Sequence, residues 1–170
     1  MSLYFLDTNA LIGAYGNDPA YSWVRGLVNK RGAMPGILLS DLTRIEFHSA
    51  VYSLERERLI NPGWVRWTIP AFERHIRLSR EGIAGARYRL IEVTPDVLER
   101  ARDLVQKYQS GKPKALHTLD AIQLACAIKA SSMLPDAQRQ DVKLVTEDQQ
   151  LAGCAADQGF EVINTIHPPA

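Results

Sequence analysis

Short unbroken apolar runs alternate along this chain with longer stretches of helical period. Leu3-Tyr4-Phe5-Leu6 and Ile37-Leu38-Leu39-Ser40 have the pattern of strands buried on both faces of a sheet. Residues 88–93, 142–146 and 160–163 read the same way, which makes five predicted strands. The first helix is expected after the capping side chains Thr8-Asn9, and the second from Asp18-Pro19 through Val28, with 32–36 as its exit loop. Leu42, Ile45, Ala50 and Leu54 predict a third helix, capped by Asp41 and ending near Asn61-Pro62-Gly63. Residues 64–80 are helical in pattern, and Pro70 is expected to kink or divide them. Thr94-Pro95-Asp96 starts a helix whose inner face is Val97, Ala101, Leu104 and Val105. A loop at 110–114 precedes a helix from His117-Thr118 through Ala130; a polar connection at 131–141 and a short helix at 149–158 complete the order.

Strands alternating with helices predict a three-layer α/β/α sandwich around a mostly parallel sheet of about five strands. No repeat, low-complexity stretch or linker interrupts it. Residues 1–165 are therefore expected to form one domain and 166–170 a flexible tail.

Composition narrows the function classes only a little. With 20 Lys and Arg against 19 Asp and Glu, the net charge of +1 announces no polynucleotide partner, so any basic surface must be local. Cys126 and Cys154 lie in apolar helical stretches without metal-type spacing, and read as reduced core thiols of a cytoplasmic protein. No apolar run reaches the roughly 18–20 residues that cross a bilayer, and no membrane association is expected.

The candidate chemistry lies in four acids. Asp7 ends the first strand, Glu46 follows the second within two helical turns, and Asp148 follows the fourth. These are positions at the carboxyl edge of a parallel sheet, where open α/β folds bind ligands. Asp120 opens a helix rich in small residues (Ala121, Ala125, Ala127) suited to close packing on that sheet. Taken singly, each acid reads as well as a cap, a turn residue or a solvated helix charge. Taken together, the carboxylates would repel and raise one another's pKa unless a cation sits among them. All-oxygen donors suit Mg²⁺ or Mn²⁺, which offers activation of water and neutralisation of phosphoryl charge.

Four segments carry a family resemblance: Phe5-Leu6-Asp7-Thr8-Asn9-Ala10-Leu11, Ser40-x-Leu42-x-x-x-Glu46, Leu119-Asp120-Ala121-x-x-Leu124-Ala125-x-Ala127, and Val145-Thr146-x-Asp148-x-x-Leu151. In this order they resemble the PIN domain, and especially the toxin ribonucleases of VapBC toxin–antitoxin pairs. The resemblance implies an Mg²⁺- or Mn²⁺-dependent endoribonuclease, a homodimer, and a small cognate antitoxin that neutralises it. Asp7, Glu46 and Asp120 match the core metal-site acids and Asp148 the fourth. Thr146, Thr8 and Asn9 match polar positions that orient the acids or the attacking water. Glu147 competes with Asp148 for the inward position, and the Thr-x-Asp pattern favours Asp148.

Candidates for holding RNA are Thr8, Asn9, Arg44 and the loop lysines Lys112 and Lys114, set near the acids. Arg44 serves equally as a balance for the acids, and the lysines as solvated loop charges. Trp23, Trp64, Trp67 and Phe72 suit packing better than base stacking. The pairs Val65/Ile69 and Phe72/Ile76 are candidates for subunit or antitoxin contact. Three other readings compete: a free-standing RNA-processing nuclease, a haloacid dehalogenase-type phosphatase, and a binding module without chemistry. The phosphatase requires a second aspartate two residues after Asp7, where this chain has Asn9.

Overall fold

The computed structural model describes residues 2–30, 36–83, 86–109 and 116–165. Within them, β1 (Leu3–Leu6), β2 (Ile37–Ser40), β3 (Tyr88–Ile91), β4 (Val142–Val145) and β5 (Glu161–Ile163) form one sheet in the order β3-β2-β1-β4-β5. Every pairing is parallel: Phe5 lies opposite Leu38 and Leu144, Leu38 opposite Arg89, and Leu144 opposite Val162.

Side chains along a strand alternate between the two faces, and each face gathers its own core. Leu6, Ile37, Leu39, Tyr88, Val145 and Ile163 pack against α1 (Thr8–Tyr15), α2 (Ser22–Asn29), α3 (Thr43–Arg56) and α4 (Pro62–Arg80). Phe5, Leu38, Ile91 and Leu144 pack against α5 (Pro95–Gln109), α6 (Thr118–Ser132) and α7 (Gln149–Asp157). The architecture is the expected α/β/α sandwich, with an entirely parallel sheet among the described residues. Both cysteines are buried, and no described helix is long and apolar enough to cross a membrane.

Local details depart from expectation for physical reasons. Asp41 does not cap α3: Leu42 holds the N-cap position without a side-chain bond, while Asp41 faces Arg80 at 3.5 Å. The segment after Asp18-Pro19 makes a 3-10 turn, Pro19–Tyr21, before α2 starts, with Asp18 accepting from the Ala20 amide at 2.9 Å. The connection before β4 contains another, Asp136–Asp141. α4 runs unbroken through Pro70. Pro70 and Arg66 both lie on its exposed face, so the amide bond forfeited there is lost at the solvated side. The buried side, Val65, Phe72 and Ile76, keeps the helix seated. Those residues therefore belong to the chain's own core and are not a surface for a second chain. The loop at 110–114, residues 32–35 of the expected exit loop and the tail at 166–170 lie outside the described residues.

α3 and α4 are joined by an aromatic stack. The Phe47 and Phe72 rings lie 4.0 Å apart at 27°, both fully buried, with Tyr15 edge-on to each. Since Phe47 directly follows Glu46, this stack also locates the carboxylate. Phe47→Ala is expected to cost about 3–5 kcal/mol. Trp67→Ala, at a site 63% exposed, should cost about 0.5 kcal/mol or less. Urea unfolding midpoints of the two variants check the contrast.

Candidate active site

The strand order sets the site. Chain order reverses between β1 and β4, since β1 connects onward to β2 on one side while β4 leads to β5 on the other. Crevices at such reversals, beyond the carboxyl ends of the strands, are where this class of sheet binds ligands. Asp7 stands there. Its amide donates to the Val145 carbonyl at 3.0 Å, extending the β1–β4 ladder by one residue, while the chain turns into α1.

Asp7 is only 5% exposed. Burial pushes its carboxyl above the ordinary aspartate pKa, and hydrogen bonding from Thr146, the backbone of Thr8 and Asn9, and Gln123 opposes that rise. The Thr146 hydroxyl donates to Asp7 Oδ2 at 2.9 Å and accepts from the Asp148 amide at 3.0 Å. Asp148 Oδ1 in turn accepts from the amides of Gln150 (2.7 Å) and Leu151 (2.9 Å), capping α7. Asp148 thus performs the cap role and stands in the acid cluster as well. Glu147 turns elsewhere: Tyr21 donates to it at 2.9 Å and Thr165 donates to its other oxygen. The Tyr21 ring reaches that position across Gly13, where a Cβ would come within 2.0 Å of it.

Glu46 lies in the first turn of α3 and faces Thr8 across the crevice. Thr8 Oγ1 donates to Glu46 Oε2 at 2.6 Å, and Gln123 Nε2 donates to the same oxygen at 2.8 Å. Burial raises the Glu46 pKa, with the charge of Asp7 adding to the rise and the two hydrogen bonds opposing it. Asp120, in the first turn of α6, is pushed up to about 6, first by burial and then by the charges of Asp148, Asp7 and Glu46, with His117 opposing. The charges of Asp148, Asp7 and Glu46 therefore all bear on Asp120, and that of Asp7 bears on Glu46.

The remaining candidates fall at varied distances from this cluster. Thr8 is buried within it and Asn9 is exposed beside it, on the first turn of α1. Arg44 is engaged by Glu73 through two hydrogen bonds, 2.8 and 2.7 Å long, with His48 against the same carboxylate at 2.7 Å. Lys112 and Lys114 lie outside the described residues. Gln123 is a member that the sequence reading passed over. It is 2% exposed, and it is the lone polar residue in the run Ala121 to Ile128, which was the available signal.

Donor chemistry decides whether a hard cation suits this place. Among the described residues, no three His, Cys, Asp or Glu side chains stand close enough to enclose an ion by themselves. Mg²⁺ needs no such cage, because it keeps several waters and takes one or two carboxylates directly. An all-carboxylate set whose charges add to burial in raising the Asp120 pKa is one that a divalent cation relieves, and Gln123 Oε1, buried without a partner among the described residues, is a spare acceptor beside it. The residues fit the ion.

A family model for the PIN domain matches residues 4–156. The chain belongs to the PIN domain family. Among solved structures it resembles FitAB bound to an IR36 DNA fragment (17% identity, 99% of each chain, TM-score 0.61). It also resembles DNA-bound VapBC from Salmonella typhimurium (16%, 97% of this chain and 99% of the other, TM-score 0.53). A toxin–antitoxin complex from Klebsiella pneumoniae is similar at 20% identity, over 98% of this chain and 99% of the other, with a TM-score of 0.51. At these identities the likeness is one of fold. No curated protein matches the chain.

Burial of Asp120, with the neighbouring acid charges adding to it, predicts a pH effect in this PIN domain. A carboxyl whose folded pKa is raised from 3.8 to about 6 binds more protons in the native state than in the unfolded state between those values. Without metal, stability from this group falls as pH rises through that window, and the penalty is complete above it. Asp120→Asn should therefore stabilise metal-free protein at pH 7 by about 1–2 kcal/mol, after allowance for partial exposure. At pH 4 the gain should be near zero. Thermal unfolding in chelator at the two pH values measures this.

Proposed function

We propose that this PIN domain is a metal-dependent endoribonuclease that hydrolyses RNA phosphodiester bonds, and that it is the toxin of a VapBC-type pair neutralised by a small cognate antitoxin. The observation that carries the reading is the buried Asp7 at the switch point of the sheet, with Thr146 donating to it and with Glu46 tied by Thr8 and Gln123 to the helix that carries Asp120. Asp7, Glu46 and Asp120 would hold Mg²⁺ or Mn²⁺, with Asp148 completing the set. Such an ion supplies activation of water and neutralises charge developing on the phosphoryl oxygens.

The chain's own part is to present ionised oxygens in fixed positions. Thr146 holds Asp7 Oδ2, while Thr8 and Gln123 both hold Glu46 Oε2, so Glu46 Oε1 is left outside that fork. Bonds to the charged form keep a buried carboxylate ionised despite desolvation. Asn9, exposed on the first turn of α1, would contact substrate from the rim. Arg44 would have to leave Glu73 to do so, and Lys112 and Lys114 would add phosphate contacts from the preceding loop.

The family membership and the likeness to FitAB and VapBC support the toxin reading over a free-standing RNA-processing nuclease, which would use the same site. Residues 1–165 would act as one nuclease domain, working in the cytoplasm as a homodimer. The phosphatase reading has Asn9 against it, and the binding-module reading must account for four mutually repelling acids.

Cleavage of a mixed RNA pool by the purified protein tests the proposal. Fragments should appear with Mg²⁺ or Mn²⁺ and vanish in chelator. Asp7→Asn and Asp120→Asn should each slow the reaction by roughly 10²–10³-fold, as when a single charge-stabilising group is removed. Cleavage indifferent to chelator and to both substitutions would assign it to a contaminant and end the proposal.

A further inference from the structure

We propose that Gln123 is a positioning residue of the metal site, an amide that locks Glu46 to the helix carrying Asp120 and so sets the span across which the cation is held. The inference rests on the metal-site reading above and deepens it.

Three observations carry it. First, Gln123 Nε2 donates to Glu46 Oε2 at 2.8 Å and to Thr8 Oγ1 at 3.3 Å, while Thr8 Oγ1 itself donates to Glu46 Oε2 at 2.6 Å. One oxygen of the carboxylate is thereby pinned between two donors on different helices. Glu46 on α3, Thr8 on α1 and Gln123 on α6 are 38 to 115 positions apart in the chain, so this fork is a long-range tie. Second, Gln123 lies three residues after Asp120 on the same helix. Residues at that spacing share a helix face. A fixed Gln123–Glu46 bond therefore fixes Glu46 relative to Asp120. Third, Gln123 is 2% exposed and its Oε1 has no hydrogen-bond partner among the described residues.

The amide orientation follows from the chemistry. A carboxylate can only accept, so the nitrogen must face Glu46, and the oxygen is left as the orphan. An unsatisfied buried carbonyl costs roughly 1–3 kcal/mol. A residue kept for packing alone would do better as Leu or Met, of similar length and with no such cost. The amide is explained if its nitrogen is needed on Glu46 and its oxygen can accept from water in the shell of a hydrated cation. Partners that orient metal ligands in this way change affinity by about 10–100-fold when removed.

Calorimetric Mn²⁺ titration of the wild type, Gln123→Met and Gln123→Asn tests the inference without any RNA. Met keeps the volume and loses both polar atoms; Asn keeps the amide and falls one methylene short of Glu46. Circular dichroism and thermal unfolding identify which variants are folded, and one folded variant suffices. The expected result is Mn²⁺ affinity weakened at least about tenfold, with a clearly smaller loss in a Glu46→Ala background, where the Gln123 bond to Asp7 is what remains. RNA cleavage, where measured, should be recovered by raising Mn²⁺ in proportion. Wild-type affinity in a folded variant overturns the role of Gln123 and leaves the nuclease reading standing. An equal loss in the Glu46→Ala background overturns the proposed route through Glu46. A wild-type protein that binds no Mn²⁺ overturns this inference and the metal dependence together.

Discussion

A carboxylate buried at the end of the central strand is the constraint on which the rest of this site depends. Asp7 is 5% exposed, and water is replaced around it by a hydroxyl, an amide side chain and the first amides of α1. These substitutes for solvent come from three places in the fold: Thr146 just past the end of β4, Gln123 from α6, and Thr8 and Asn9 from α1. Without them, desolvation would push this carboxyl further toward its neutral form. The parallel pairing of β1 with β4 is what delivers Thr146, because the register that sets Leu6 beside Val145 puts the two following residues side by side.

The strands and the acids were legible in the sequence for a common reason. A strand buried on both faces reads as a short apolar run, and the residue that ends such a run lies at a sheet edge. Asp7 after Leu6 and Asp148 two residues beyond Thr146 could therefore be placed before any coordinates. Glu46 and Asp120 needed the family pattern as well, since an acid in the first turn of a helix is ordinary by itself.

What escaped the sequence was set by partners far away in the chain. Gln123 lies in a helix that is buried on nearly every side, so no polar face exists from which periodicity could single it out. Its meaning comes from Glu46, 77 positions earlier. Arg44 read as a phosphate contact or a balance for the acids, yet its fork is filled by Glu73 from α4, a pairing that no local pattern reveals. Asp41 looked like a helix cap by residue type, but the chain enters α3 through a turn with the Ser40 hydroxyl accepting from the Leu42 amide at 3.2 Å, and Asp41 is directed to Arg80. Pro70 was expected to break α4 because propensity counts the lost bond and not the core that the opposite face of the helix buries.

The placement of repelling charges is carried out by apolar neighbours. Leu6 precedes Asp7, Phe47 follows Glu46, Ala121 follows Asp120 and Leu151 lies three residues after Asp148, and all four neighbours are fully buried. The two cores divide the work, since Leu6 and Phe47 belong to the face built by α1 to α4, whereas Ala121 and Leu151 belong to the face built by α5 to α7. Close packing holds each backbone to a fraction of an ångström, while the side chain it anchors is opposed electrostatically by the others. The backbones that carry the acids cannot move apart without opening one core or the other, so a cation held there, as proposed, would meet a charge arrangement already made.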